Sequence, residues 1–136
     1  MNSEIFIFNL LGVTKEEAIK EILDALEIEK KDEAFQDIMR REALSPTLIS
    51  PCIAIPHAKS RAVDKLTYAI ARSIDGVVWN SGRPKIIILT LSPLSASGEH
   101  VIFLSHVAAV LNDEENVRRI LSAESPEEME EVFYLL

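Results

Sequence analysis

A single cysteine, Cys52, stands in the 136 residues. No intramolecular disulfide can form, so the fold must be held by its apolar core, as in proteins of a reducing compartment. Glycine is scarce, with four residues, and neither G-x-x-x-x-G-K-[ST] nor G-x-G-x-x-G occurs. ATP and dinucleotide sites of those designs are therefore unsupported. Long apolar runs are missing too. Ile5-Phe6-Ile7-Phe8 is too short for a signal-peptide core and has no basic leader, and no later stretch is long enough to span a bilayer. The expectation is a soluble cytoplasmic protein that is not membrane-inserted.

Positive charge is in deficit, with a formal net charge of −8. That balance opposes nucleic-acid binding, which depends on Lys and Arg neutralising phosphates. The distribution is uneven. Residues 113–136 carry eight acids against two bases, whereas residues 40–72 carry six bases against two acids. An acidic chain that gathers its cations in one window suits a small anion better than a polymer.

With 48% hydrophobic and 26% charged residues, the chain has a globular profile and is of single-domain length, so 1–136 is read as one domain. Glu4 to Leu10 reads as an opening strand. Thr14 is placed as an N-cap, with Glu17 three residues on completing a capping box, and Ala18, Ile19, Ile22, Leu23 and Leu26 make one apolar stripe. A second helix runs from about Asp32 to Leu44 and stops before Pro46. Pro51 and Pro56 bracket a short strand, Cys52 to Ile55, which should cease pairing at Pro56 and leave His57 at the sheet rim.

Leu66 to Ile74 reads as a strand, and Asp75-Gly76 predicts a hairpin into an antiparallel Val77-Val78-Trp79 strand. Ile86 to Leu91 is a continuous apolar run, as expected of a central strand covered on both faces. Ser97 is the expected cap of a long helix with His100 in its first turn, and Asp113 and Ser125 open two more helices. The order predicts an α/β fold, a three-layer sandwich in which a mixed five-stranded sheet is flanked by helices on both faces.

His57 follows a strand and a proline, with Arg40, Arg41, Lys59 and Arg61 near it in sequence. Free imidazole titrates near ~6.5, so a neutral, nucleophilic nitrogen exists at cell pH. Arg and Lys can offset the charge of an incoming phosphoryl group. The competing reading is a loop histidine bonded to backbone. His100, at a helix N-terminus, could donate to a phosphoryl oxygen on His57 or make an ordinary first-turn contact. His106, further along among apolar neighbours, reads as structural, and Cys52 as a core residue. A zinc site is the weaker alternative, because the three histidines lack tight ligand spacing.

Thr14-Lys15-Glu16-Glu17-Ala18, Arg41-Glu42-Ala43-Leu44 with Thr47, Ile53-Ala54-Ile55-Pro56-His57 and Glu99-His100 together resemble enzyme IIA of the fructose/mannitol type in the bacterial sugar phosphotransferase system, including its nitrogen-regulatory branch. The likeness runs nearly end to end. It implies that His57 is phosphorylated by the histidine phosphocarrier protein and passes the group to a cysteine of an enzyme IIB, with no metal or other cofactor. It implies that His100 stabilises the phosphoryl group, and that Arg41 and Thr47 line the site, with Glu42 completing the segment. A stand-alone regulatory protein, whose His57 phosphorylation controls protein partners, is the alternative. Ser45-Pro46 and Ser50-Pro51-Cys52 stand where the family often has glycine, so the loops there are expected to be shaped differently.

Overall fold

Ile86-Ile87-Ile88-Leu89 is too apolar to leave either face in water, and a computed structural model places it at the centre of the sheet. The structure describes residues 4–95 and 98–134, and residues 99 and 100 by backbone alone. Strand β6 (Ile86–Ser92) is buried throughout. On one side it pairs antiparallel with β5 (Thr67–Arg72), and β1 (Glu4–Ile7) lies parallel beyond β5. On the other side β3 (Ile53–Ala54) and β4 (His57–Lys59) run parallel to successive stretches of β6, with Ile53 opposite Ile86 and His57 opposite Thr90. Strand β2 (Leu48–Ser50) is antiparallel to β3.

The sheet therefore has six strands where five were expected. Proline has no N–H to give to a ladder, yet it does not end the pairing. The Pro56 carbonyl accepts from Thr90 N–H at 3.0 Å, and His57 resumes the ladder as the first residue of β4.

Alternation along the strands makes two cores. Ala69, Ala71, Ile87, Leu89 and Leu91 face α1 (Lys15–Ala25) and α2 (Lys31–Leu44). Ile70, Ile86 and Ile88 face α3 (Gly98–Leu111), α4 (Glu114–Ser122) and α5 (Pro126–Tyr134). Each fully buried Ile or Leu contributes roughly 1.5–3 kcal/mol. The three-layer sandwich is as expected, and Met129, Val132 and Phe133 of α5 point inward.

Buried Arg72 ties the end of β5 to α4. Its Nη1 donates to the Ala123 and Ile120 carbonyls at 2.7 and 3.3 Å, its Nε donates to the Phe8 carbonyl at 3.2 Å, and its guanidinium lies 3.9 Å from the Phe8 ring centroid. Burial pushes its pKa down. Three carbonyls at different angles need a planar fork, which an ammonium cannot reproduce. Arg72→Lys is therefore expected to lower stability by about 2 kcal/mol in urea unfolding, and a loss below about 0.5 kcal/mol would contradict this account.

Thr14 caps α1 as read, and the Glu17 carboxylate returns bonds to the Thr14 and Val13 N–H groups at 3.0 and 3.2 Å. Those bonds, the Thr14 backbone first, hold the Glu17 pKa below its ordinary value. The unfolded chain then binds this proton more readily than the folded one. Stabilisation by Glu17 is present above the ordinary carboxylate pKa and is lost as pH falls through the depressed folded value. A Glu17→Ala protein should be less stable than wild type at pH 7 and should converge on it near pH 2. Asp113 caps α4, and Ser125 Oγ accepts from Glu128 N–H, but the Glu128 carboxylate reaches back to Glu124 N–H instead of closing the box on Ser125. The expected cap at Ser97 lies outside the described residues.

The expected Asp75-Gly76 hairpin is not formed. Gly76 does turn, with φ 84°, but Val77–Trp79 makes only isolated bridges, Val78 with Thr14 and Trp79 with Gly82. The longer apolar β6 takes the edge of β5, and burial of Trp79 among α1 and α2 draws its segment off the sheet. The tight reversal comes later, where Asn80 adopts φ 53°.

Candidate functional site

Interrupting the strand at Ile55-Pro56 leaves the Ile55 carbonyl available, and half-buried His57 takes it: Nδ1 lies 2.7 Å from that oxygen. A carbonyl only accepts, so Nδ1 must carry the proton and the neutral ring presents its lone pair at Nε2. One backbone bond thus sets both the tautomer and the orientation.

His57 lines a groove of about 640 Å³ between α2, β4 and α3. Arg40 and Arg41 near the C-terminal end of α2 and Lys59 from β4 line it as well, opposed by Asp37. Arg40 Nη1 is 3.2 Å from Asp37 Oδ1, and Arg41 Nη1 donates to the Ser45 carbonyl at 3.0 Å. Among the described lining residues, three cations stand against one carboxylate in a chain of net charge −8. Arg61 borders an adjoining depression that shares Arg40 and Lys59. Leu44 is 83% exposed and Val101 63%, so the groove also carries apolar surface.

Thr47 and Glu42 sit behind the groove and do not line it. Glu42 is buried with its carboxylate fully used: Lys15 Nζ at 3.1 Å, Trp79 Nε1 at 3.1 Å, Thr47 N–H at 3.3 Å, and the Thr47 hydroxyl on the other oxygen. The Thr47 carbonyl in turn accepts from Ile55 N–H at 2.9 Å. A chain of bonds therefore runs from Glu42 through Thr47 to Ile55, whose own carbonyl holds His57.

The backbone places His100 third in α3, on the side of the sheet that His57 shares, and its side chain lies outside the described residues. His106 Nε2 lies 3.3 Å from the Phe133 carbonyl oxygen, a structural contact as read. Cys52 is half-buried against the α3–α5 core. Among the described residues no three of His, Cys, Asp and Glu converge on a metal position. Sequence reasoning missed Lys15, Trp79 and Asp37. The lone Trp, which needs a partner for its indole N–H when buried, was the available signal for the first two.

Comparison with known proteins agrees with the fold. Over 126 residues the chain is 33% identical to the fructose-specific EIIA component of Haloferax volcanii, covering 88% of this chain and 82% of that protein. It is 30% identical to the mannitol-specific enzyme IIA component of Staphylococcus aureus, covering 97% and 92%. Among solved structures, the nitrogen regulatory protein IIA-Ntr of Neisseria meningitidis superposes with a TM-score of 0.84 at 26% identity, covering 96% and 93%. The Escherichia coli complex of enzyme IIAMTL with phosphorylated enzyme IIBMTL shares the fold, with a TM-score of 0.78 at 23% identity, covering 96% and 94%. No helix among the described residues is long and apolar enough to cross a membrane. Residues 1–135 match the family described as phosphoenolpyruvate-dependent sugar phosphotransferase system, EIIA 2, and the chain belongs to that family of phosphotransferase components.

Proposed function

We propose that this protein carries a phosphoryl group on His57 Nε2, taking it from the histidine phosphocarrier protein and giving it to the cysteine of an enzyme IIB in the cytoplasm. The observation that carries the reading is the Nδ1 bond to Ile55, which leaves Nε2 as the nucleophilic nitrogen of a ring lining a cationic groove. In the accepting step the Nε2 lone pair forms the new N–P bond, and the donor's P–N bond breaks with its electron pair returning to the donor ring. In the giving step a thiolate attacks phosphorus and the N–P pair returns to Nε2. The proton on Nδ1 stays with its carbonyl throughout. Positioning and charge stabilisation supply the catalysis of such a loose transition state, with Arg41 presenting a multi-donor fork. His100 stabilises the phosphoryl group from the first turn of α3, while Thr47 and Glu42 act by positioning.

Incubation with phosphorylated phosphocarrier protein should add one acid-labile, alkali-stable phosphoryl group, mapped by mass spectrometry to the peptide that contains residue 57. Modification elsewhere would overturn the assignment.

The fit to a nitrogen regulatory protein favours a second reading, in which His57 phosphorylation governs capture of a protein partner. Transfer of label onward to a sugar-linked IIB supports transport. Retention of label with phosphorylation-dependent capture of a partner supports regulation.

A further inference from the structure

Thr90 interrupts the apolar run of β6. It is fully buried, and among the described residues its Oγ1 is the buried side-chain polar atom with no hydrogen-bond partner. A hydroxyl sealed away unpaired carries a desolvation penalty that valine, of the same shape, would avoid. Its position is specific. Across the β4–β6 ladder Thr90 is the register partner of His57, and across β5–β6 it is the partner of Tyr68. Register partners show their side chains on one face. Leu89 and Leu91 point to the α1–α2 core, so Thr90 points the other way, between His57 and Tyr68 on the α3 side.

Tyr68, though its neighbour, makes no hydrogen bond to it. Burial first, and then the Glu4 carboxylate to which its phenol is bonded, raise the Tyr68 pKa, and its ring packs tilted on Phe103 with centroids 4.0 Å apart. Among the described residues, the other polar register partner of Thr90 is His57.

We propose that the Thr90 hydroxyl is a phosphoryl-oxygen donor, unpaired in the resting protein and satisfied when His57 carries its phosphoryl group; this rests on the carrier reading above. An O–H to a charged phosphoryl oxygen is among the stronger hydrogen bonds, and it forms in one state only. The cations of the groove act from the solvent side, where salt screens them. Thr90 acts from the sheet, in a fixed, water-excluded place, and so tilts the transfer equilibrium toward the phosphorylated protein.

The test loads wild type, Thr90→Val and Thr90→Ser from phosphorylated phosphocarrier protein at fixed ratios and measures the label held at equilibrium. Thr90→Val should show an equilibrium constant about tenfold lower, with Thr90→Ser within about twofold of wild type. Unphosphorylated Thr90→Val should unfold at the same or a higher urea concentration than wild type. A Thr90→Val protein that holds label as wild type does overturns the inference and leaves the carrier reading intact. Equal destabilisation of both phosphorylation states marks a packing role and also overturns it. A wild-type chain that takes no label overturns the carrier reading and this inference with it. A measurement free of mutation is the Thr90 hydroxyl proton resonance, which should move downfield on phosphorylation; an unmoved resonance overturns the inference.

Discussion

His57→Ala is expected to take no label from phosphorylated phosphocarrier protein, a loss of the whole activity, while the protein stays folded. The side chain is half-buried, and loss of its hydrogen bond to the Ile55 carbonyl costs about 1 kcal/mol, far too little to unfold a domain with two apolar cores. Chemistry and stability are therefore separable at this position. His57→Gln sharpens the point, because its amide can fill part of the ring's place without supplying a nucleophile. Label retained by both variants, with cooperative urea unfolding intact, would move the phosphoryl group off His57. Chemistry fixes the bond type as well: Nδ1 is held by Ile55, so two-dimensional phosphorus–nitrogen correlation should assign the phosphoryl group to Nε2. An Nδ1 adduct would mean that the Ile55 bond breaks during transfer and would remove its orienting role.

How far the sequence carried this picture depends on whether local or distant contacts decided each element. Helix α1 was legible because its cap, Thr14 with Glu17, and its apolar stripe lie within a few residues of one another. The β6 strand was legible because its burial on both faces leaves a continuous apolar run. The Asp75-Gly76 hairpin was misread because the turn residues are local but the choice of partner for β5 is not; β6 outcompetes Val77–Trp79 through contacts that no local pattern reports. His57 was singled out through its proline and neighbouring cations, though its strand resumes where the proline was expected to end it. The bond that orients the ring depends on a carbonyl two residues back being left out of the ladder, and residue spacing does not encode that. Thr90 left a visible trace, a hydroxyl within Ile-Ile-Ile-Leu-Thr-Leu, whose meaning required knowing which residue lies across the ladder.

The Glu42 carboxylate shows how a residue behind the groove governs one inside it. Glu42→Ala should lower stability by about 3–5 kcal/mol, because it leaves the Lys15 ammonium without its anion, the Trp79 indole N–H without an acceptor, and both donors of Thr47 unpaired. The fluorescence of Trp79, the single tryptophan, reports this directly during urea unfolding. Lys15→Met combined with Glu42→Gln should recover part of the loss, since the pair then leaves no buried charge uncompensated, and that non-additivity separates the ion pair from the rest of the cluster. The effect reaches His57 through Thr47 and Ile55, which are joined at 2.9 Å. In Glu42→Gln, at a temperature where it remains folded, phosphorylation should slow about tenfold although no groove-lining cation has changed, as follows when a nucleophile loses its fixed geometry. A Glu42→Ala protein within about 1 kcal/mol of wild type would show that these donors find other acceptors and that the cluster does not anchor the site.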